Sequence, residues 1–356
     1  MTDKAVLLAH PLNELLSRGV FSDLLHQVID LLERESSPYR PLSAGNKPGG
    51  LVDLVGNQGR CPTMIIPDLH CRGEFFKKIL CFTPQFNDYV FPEDRILENI
   101  PVIDLLETGR LNLVCMGDGL HSELHRERWL VALDDYQRGC VTGGALEAEM
   151  AEGLSLMTLV MKCKLLFPKN FHFLKGNHEN IMNQWEGGDR PFRKFAKEGE
   201  MSRLFMEEYY GDDILYLYSH FESLLPLLVR APRCLISHSE PSSYFSGLQV
   251  INAPDEGSGQ VAYGLTWTKN GESEQGAVES MLQELLPQWW DLDEEKNEHN
   301  PFSALYFGGH RSIGEKYKLR QGGRFVQLHN PRNHQVALVP VHRPFDFGGD
   351  IIQIDR

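Results

Sequence analysis

Five short apolar runs, each ending in a cluster of Asp, Asn or His, constrain the fold of this chain more than any other feature. They are residues 64–66 before Asp68 and His70, 111–116 before Asp118, 171–174 before Asn177 and His178, 234–236 before His238, and 304–307 before His310. Short continuous apolar runs are typical of buried strands. Open α/β sheets place their sites at the carboxyl ends of strands. We therefore expect an α/β fold that brings these polar side chains together.

Segments with apolar residues at helical spacing lie between and before these runs. We expect helices near 72–81, 122–137, 145–166, 191–210 and 275–287, and an N-terminal helix over 11–36. The stretch 37–60 is rich in Pro, Gly, Ser and Asn, which is typical of a loop. The expected organisation is an N-terminal helix and loop extension over 1–60, followed by one catalytic domain over 61–356.

Charge and cysteine usage narrow the class of protein. The net charge of −14 argues against a bulk electrostatic grip on nucleic acid or on an anionic membrane, since both need clustered Lys and Arg. The sequence has no segment of 18 consecutive apolar residues, so we expect no membrane span. The polar residues of the N-terminus indicate an amphipathic helix rather than a signal peptide. Seven scattered cysteines without a CxxC pair favour reduced thiols and a cytoplasmic protein.

The polar residue types predict a centre of two divalent metal ions. Two such ions about 4 Å apart repel each other, so a carboxylate must bridge them, and Asp118 is the candidate. Imidazole and carboxylate ligands suit Mn, Fe and Zn, while Asn177 offers a neutral carbonyl oxygen. The expected ligands are Asp68, His70, Asp118, Asn177, His238 and His310.

These motifs in this order resemble the calcineurin-like metallophosphoesterase superfamily, and within it most the serine/threonine phosphoprotein phosphatases. The similarity is densest in LLFPKNFHFLKGNHEN (165–180), continues through SHFESLLPLLVRAPRCLISHSEP (219–241), and in all covers about residues 62–345. The resemblance implies a four-layer αββα sandwich with extra helical segments. It also implies a metal-dependent phosphoric ester hydrolase.

Each ligand receives a role from the resemblance. Asp68 and His70 would bind the first metal, Asp118 would bridge, and the second metal would be bound by Asn177, His238 and His310. A hydroxide bridging the metals would attack phosphorus, and His178 would protonate the leaving-group oxygen as general acid. Histidine suits that role because its ordinary pKa lies near neutrality.

The chain departs from its relatives around residues 117–123. Where they have Gly-Asp-x-Val-Asp-Arg-Gly, this chain has Gly-Asp-Gly-Leu-His-Ser-Glu, so His121 replaces the Asp that orients the acid and Ser122 replaces a phosphate-binding Arg. Ser312 stands where wider relatives have a further metal-binding His. The candidate substrate-binding residues are Asn177, Arg311, His121 and Lys175, with Arg126, Arg128 and Arg193 as alternatives. Glu123 and Glu179 are candidates for orienting the histidines.

The expected activity is hydrolysis of phosphate monoesters, with a protein serine/threonine phosphatase as its more specific form. The partner would then be a phosphoprotein or a small phosphate ester. Two alternatives stay open at this point: hydrolysis of dinucleoside polyphosphates or other phosphodiesters on the same centre, and a metal-binding regulatory protein with weak catalysis.

Overall fold

The computed structural model describes residues 3–58, 61–84, 100–255, 259–290 and 304–354. Within these ranges the helices are α1 (Asp3–Leu8), α2 (Arg18–Glu33), α3 (Val55–Gln58), α4 (Gly73–Cys81), α5 (Val102–Glu107), α6 (Arg126–Gln137), α7 (Gly144–Leu166), α8 (Glu198–Tyr210), α9 (Asp212–Ser223), α10 (Gly247–Asn252), α11 (Gln260–Thr266), α12 (Ala277–Leu285) and α13 (Pro287–Trp290). The strands are β1 (Leu51–Asp53), β2 (Thr63–Ile66), β3 (Asn112–Cys115), β4 (Phe171–Phe173), β5 (Leu228–Ala231), β6 (Cys234–Ser237), β7 (Leu305–Gly308), β8 (Lys318–Arg320), β9 (Phe325–Gln327), β10 (Gln335–Val339) and β11 (Ile351–Gln353).

These strands form two sheets. One has the order β11-β10-β2-β3-β4, and the other has the order β1-β5-β6-β7-β9-β8. The neighbours β2, β3 and β4 are parallel, and so are β6, β7 and β9 in the other sheet. Each sheet therefore contains three neighbouring strands whose carboxyl ends point the same way.

The side chains of β2 show how the layers are stacked. Met64 and Ile66 belong to a core shared with helices, whereas Ile65 belongs to a core formed by strands of both sheets. Successive side chains of a strand point to opposite faces, so this sheet is covered by helices on one face and by the second sheet on the other. Tyr306 and Phe325 place the outer face of the second sheet in a core with α10, α11 and α12. The layers are helix, sheet, sheet and helix, which confirms the predicted αββα sandwich.

The five predicted strands are confirmed as β2, β3, β4, β6 and β7. Several helices begin later than their apolar spacing predicts: α2 begins at Arg18, α6 at Arg126 and α8 at Glu198. The residues ahead of α6 and α8 instead contribute to the cluster of polar side chains described below.

The predicted loop over 37–60 contains β1, which pairs in parallel with β5 through Leu51, Val52 and Asp53. This apolar run is short and flanked by glycines, so its composition resembles that of a loop. The division of the chain at residue 60 stays a prediction. None of the helices in the described ranges combines the length and apolar character needed to cross a membrane.

Candidate metal centre

The parallel strands of both sheets deliver polar residues to one common edge. β2 leads to Asp68 and His70, β3 to Asp118, β4 to Asn177 and His178, β6 to His238, β7 to His310, and β9 to His329. All six predicted ligands are brought together, and their mutual contacts divide them into two groups.

The first group lies around Asn177. Its Oδ1 lies 2.9 Å from His238 Nε2 and 2.8 Å from His310 Nδ1. His238 Nδ1 donates to the Met116 carbonyl at 2.8 Å, and burial lowers the pKa of this imidazole. A neutral ring with its proton on Nδ1 turns an Nε2 lone pair toward Asn177 Oδ1, which is also an acceptor. Two acceptors at this distance call for a cation between them.

The second group lies around Asp68 and His70. His70 Nδ1 donates to the His121 carbonyl at 3.0 Å, which leaves the lone pair of Nε2 without a hydrogen-bond partner. Asp68 Oδ1 is likewise buried without a partner. Ligand atoms of Asp68, His70 and His329 all lie within 4.8 Å of one another. Buried polar atoms are normally satisfied, so orphans that converge on one point mark a place for an ion.

Asp118 lies between the two groups. Its Oδ2 is 3.6 Å from His70 Nε2 and 3.5 Å from His238 Nε2. This is the position expected of a bridging ligand.

The electrostatics of these residues also fit cations. Burial, together with the nearby carboxylates of Glu179 and Asp68, raises the pKa of Asp118 well above its ordinary value. Burial lowers the pKa of His70 to about 3, so the imidazole is neutral. Buried carboxylates beside neutral imidazoles have no positive group to balance their charge, and divalent ions would supply it. The donor set of nitrogen and carboxylate oxygen fits Mn, Fe or Zn.

Several of these residues have a backbone conformation that non-glycine residues rarely adopt. His70, Asp118 and His310 have φ of 41°, 52° and 62°, in the left-handed region, where the cost is about 1–3 kcal/mol each. Gly309 allows a further close approach, since a Cβ there would lie 1.9 Å from Asp68 Oδ1. Such strain persists only where the surroundings enforce it, and it is typical of functional sites.

His178 lies at the edge of this cluster. Its Nε2 is 3.7 Å from Asp118 Oδ2, and its backbone N–H donates to Asp118 Oδ1 at 2.9 Å. Its ring stacks on Phe192 with centroids 4.4 Å apart. The side chain is 12% exposed, so the imidazole is fixed but reachable.

His121, which replaces the orienting Asp of the relatives, is a neighbour of His178, with ring centroids 5.0 Å apart. Its Nε2 lies 3.4 Å from Glu198 Oε1. Glu198 is buried and accepts backbone N–H groups of Lys194 and Ala196. Glu198, at the start of α8, thus places a carboxylate beside His121. Sequence reasoning missed Glu198 because nothing in its neighbourhood marks it.

The two glutamates predicted to orient histidines behave differently. Glu179 accepts backbone N–H groups of Asp118, Gly119 and Gly176 at 2.6–2.9 Å and thereby holds the loop that carries the Asp118 carboxylate. Glu123 contacts histidines directly: its Oε1 is 3.7 Å from His70 Nε2, and its Oε2 is 2.8 Å from His329 Nε2.

The two cationic side chains predicted to bind substrate, Lys175 and Arg311, differ in their contacts and exposure. Lys175 Nζ is engaged by the Glu179 carbonyl and by Asp189, at 3.0 and 3.2 Å. Arg311, adjacent to His310, has an exposed side chain. Burial is the largest cause that lowers the pKa of His238 and His310, and the charge of Arg311 lowers both pKa values further.

The alternative arginines are placed as follows. Arg128 pairs with Glu149 and Glu152, Arg126 pairs with Glu127 at 3.3 Å, and Arg193 is exposed. The role of each in substrate binding stays a prediction.

His329 is the second residue that sequence reasoning missed. It is fully buried beside Asp68 and follows the apolar strand β9. The run Phe325-Val326-Gln327-Leu328 before it repeats the pattern of the five predicted runs. The interior Gln327 concealed that pattern, which would have identified His329.

No protein-family model matches the sequence, and no curated protein matches it significantly. Solved structures that match include a protein serine/threonine phosphatase from Saccharomyces cerevisiae with similarity to human phosphatase PP5. The TM-score is 0.54 and the identity 14%, over 95% of this chain and 89% of that chain. A cold-active protein tyrosine phosphatase of a psychrophile, Shewanella sp., matches at a TM-score of 0.42 and 11% identity over 83% of this chain and 80% of that chain. The chain shares the α/β sandwich fold of the yeast phosphatase, as the motif resemblance predicted.

Proposed function

We propose that the protein is a dinuclear metal-dependent phosphoesterase that hydrolyses phosphate monoesters. One observation carries the proposal: buried atoms of Asp68, His70 and His310 have no hydrogen-bond partner, and His70 and His238 face each other across the Asp118 carboxylate. Structural ion pairs do not leave such atoms unpaired, whereas a two-metal site requires them.

Asp68 and His70 would hold the first ion, Asn177, His238 and His310 would hold the second, and Asp118 would be shared. When bound, such ions polarise the phosphoryl oxygens and bring the pKa of water toward neutrality. The protein orients the ligands through fixed outer partners: the Met116 carbonyl for His238 and the His121 carbonyl for His70. These hydrogen bonds select the tautomer that leaves Nε2 free for a metal.

His178 is proposed as the general acid. Stacking on Phe192 and the hydrogen bond from its backbone to Asp118 fix its ring. Its Nε2 faces Asp118 Oδ2 at 3.7 Å, so a proton held there would lie close to an ester bound at the proposed metal centre. Delivery of this proton to the leaving-group oxygen is worth about 10²–10⁴ in rate.

The proposed site also offers a positive side chain for the negative charge of the substrate. Arg311 extends into solvent beside His310, where it is suited to attract a phosphate dianion. We propose phosphoproteins or small phosphate esters as substrates, with protein serine/threonine phosphatase activity as the specific form. All seven cysteines are unpaired, which supports a reducing compartment such as the cytoplasm.

The test is hydrolysis by metal-free protein reloaded with Mn, Fe or Zn. We expect turnover of p-nitrophenyl phosphate and a phosphoserine peptide that appears only with metal and saturates at two ions per chain. Preferred turnover of dinucleoside polyphosphates or phosphodiesters would redirect the proposal to those substrates. Two tightly bound ions without turnover of any ester would contradict the enzyme and favour a regulatory metal protein.

A further inference from the structure

We infer that His329 is a direct ligand of the first metal, held in place by Glu123. This deepens the proposed function and rests on it. Neither residue belongs to the ligand set implied by the motif resemblance. Glu123 stands where the relatives have glycine, and His329 lies 19 residues beyond His310.

The contacts of the His329 ring determine which nitrogen is available. Nε2 lies 2.8 Å from Glu123 Oε2, a hydrogen bond in which the carboxylate accepts. A neutral ring that donates from Nε2 presents a lone pair on Nδ1. Nδ1 is buried without a hydrogen-bond partner. Its neighbour Asp68 Oδ2 lies 3.7 Å away, too far for a hydrogen bond.

An unpaired nitrogen in a fully buried imidazole is costly unless something outside the protein satisfies it. The Nδ1 atom converges with ligand atoms of Asp68 and His70 within 4.8 Å. A cation held by Asp68 and His70 is therefore within reach of the same lone pair.

Glu123 has the properties of an outer partner that fixes a metal-binding histidine. A carboxylate commonly accepts the second ring proton of such a histidine and sets its orientation. Glu123 is itself anchored by an ion pair with Lys194. The first site would thus carry Asp68, His70, Asp118 and His329, a set richer in nitrogen than the motifs alone indicate.

The sharpest test replaces His329 by cysteine. The thiol Sγ and the imidazole Nδ1 lie at similar distances from the backbone, so a cysteine can present sulfur to the same ion. Loaded with Co²⁺, His329→Cys should show a thiolate-to-cobalt charge-transfer band in the near ultraviolet that wild type lacks. His172→Cys is the matched control, because His172 is also buried but its Nε2 contacts the Lys169 carbonyl outside the cluster. A folded His329→Cys protein that binds Co²⁺ without the band would overturn the inference.

Metal affinity gives the second measurement. Glu123→Gln should weaken one of the two ions by about 10–100-fold, the usual effect of losing an outer partner, and His329→Ala should weaken the same ion further. Equilibrium dialysis against Zn²⁺ with circular dichroism as a folding check measures both. Unchanged affinities in folded variants contradict the role of His329 but leave the proposed function intact. A wild-type protein that binds no metal contradicts both.

Discussion

Two buried clusters of charged side chains in the described part of the chain differ in whether the protein itself balances their charge. The Glu35 cluster consists of Glu35, Arg40 and Lys164. Arg40 Nη1 and Lys164 Nζ lie 2.6 and 2.5 Å from the two oxygens of Glu35. The remaining donors reach carbonyls, as in the 2.8 Å bond from Arg40 Nε to Gly49 and the 2.7 Å bond from Lys164 Nζ to Pro168.

The cluster at the strand ends is built in the opposite way. Asp68 and Asp118 face neutral histidines, and atoms of Asp68, His70 and His329 have no partner. The carboxyl pKa values of the two clusters are shifted in opposite directions. Burial would raise the pKa of Glu35, but Lys164 and Arg40 lower it to about 2, whereas the pKa of Asp118 is raised. Buried charge alone therefore does not indicate function; buried charge without a protein counterion does.

The largest expected effect is that of Asp118→Asn. Both ions should bind more weakly, because only a bridging anion screens them from each other. The loss of affinity should exceed the roughly 10–100-fold loss that follows removal of an outer partner. Activity should also be lost. Metal analysis after dialysis measures the first effect and ester hydrolysis the second. Retention of two tightly held ions would show that the two groups do not share Asp118.

The variant His178→Gln tests whether His178 acts on the substrate rather than in metal binding. The variant should keep both ions but hydrolyse alkyl phosphates about 10²–10⁴-fold more slowly. The loss should shrink for p-nitrophenyl phosphate, whose leaving group needs little protonation. Parallel kcat measurements on both esters test this. Equal losses on both would assign His178 to binding or packing instead.

Glu35→Gln tests the Glu35 cluster. It leaves Arg40 and Lys164 buried without their counterion, which typically costs about 3–5 kcal/mol of unfolding free energy. Activity per folded molecule should not change. Glu33→Gln, at the end of α2, is the control, because Glu33 pairs with His220 at an exposed position, where an ion pair contributes about 0–1 kcal/mol. Equal denaturation midpoints for the two variants would contradict the importance of the Glu35 cluster.

The pH dependence of stability gives the smallest effect. The pKa of Glu35 is lowered from 4.5 to about 2 on folding, so its stabilisation is present above pH 4.5 and is lost as pH falls toward 2. The difference in unfolding free energy between wild type and Glu35→Gln should shrink by about 3 kcal/mol over this window. Urea denaturation at several pH values measures it. A difference independent of pH would mean that the charge of Glu35 is not what stabilises the fold.

The fold and the grouping of the candidate ligands could be predicted from sequence to the extent that each rests on a local pattern. The runs before Asp68, Asp118 and His238 are short, apolar and followed by a polar residue, so the sequence shows both the strand and the candidate ligand. β9 contains Gln327, whose side chain is buried and donates to the Arg311 carbonyl. This interior glutamine breaks the apolar run, and His329 was missed with it.

Contacts over long sequence separations could not be predicted. Glu198 reaches His121 only because the segment before α8 packs beside the cluster, and no spacing in the sequence encodes that approach. The same holds for Arg40, which is bonded to the Leu224 carbonyl 184 positions away. Such contacts depend on tertiary packing, and local sequence periodicity carries no information about them.

The strand order also has a consequence during synthesis. β2 is flanked by β3 on one side and by β10 on the other, and β10 ends at Val339. Translation from the end of β2 to that point takes roughly 15–55 s at about 5–20 residues per second. Until then the nascent chain exposes one edge of β2, and such edges are sites of aggregation. Chaperone binding to this edge on the ribosome would protect a protein whose sheet cannot be closed early.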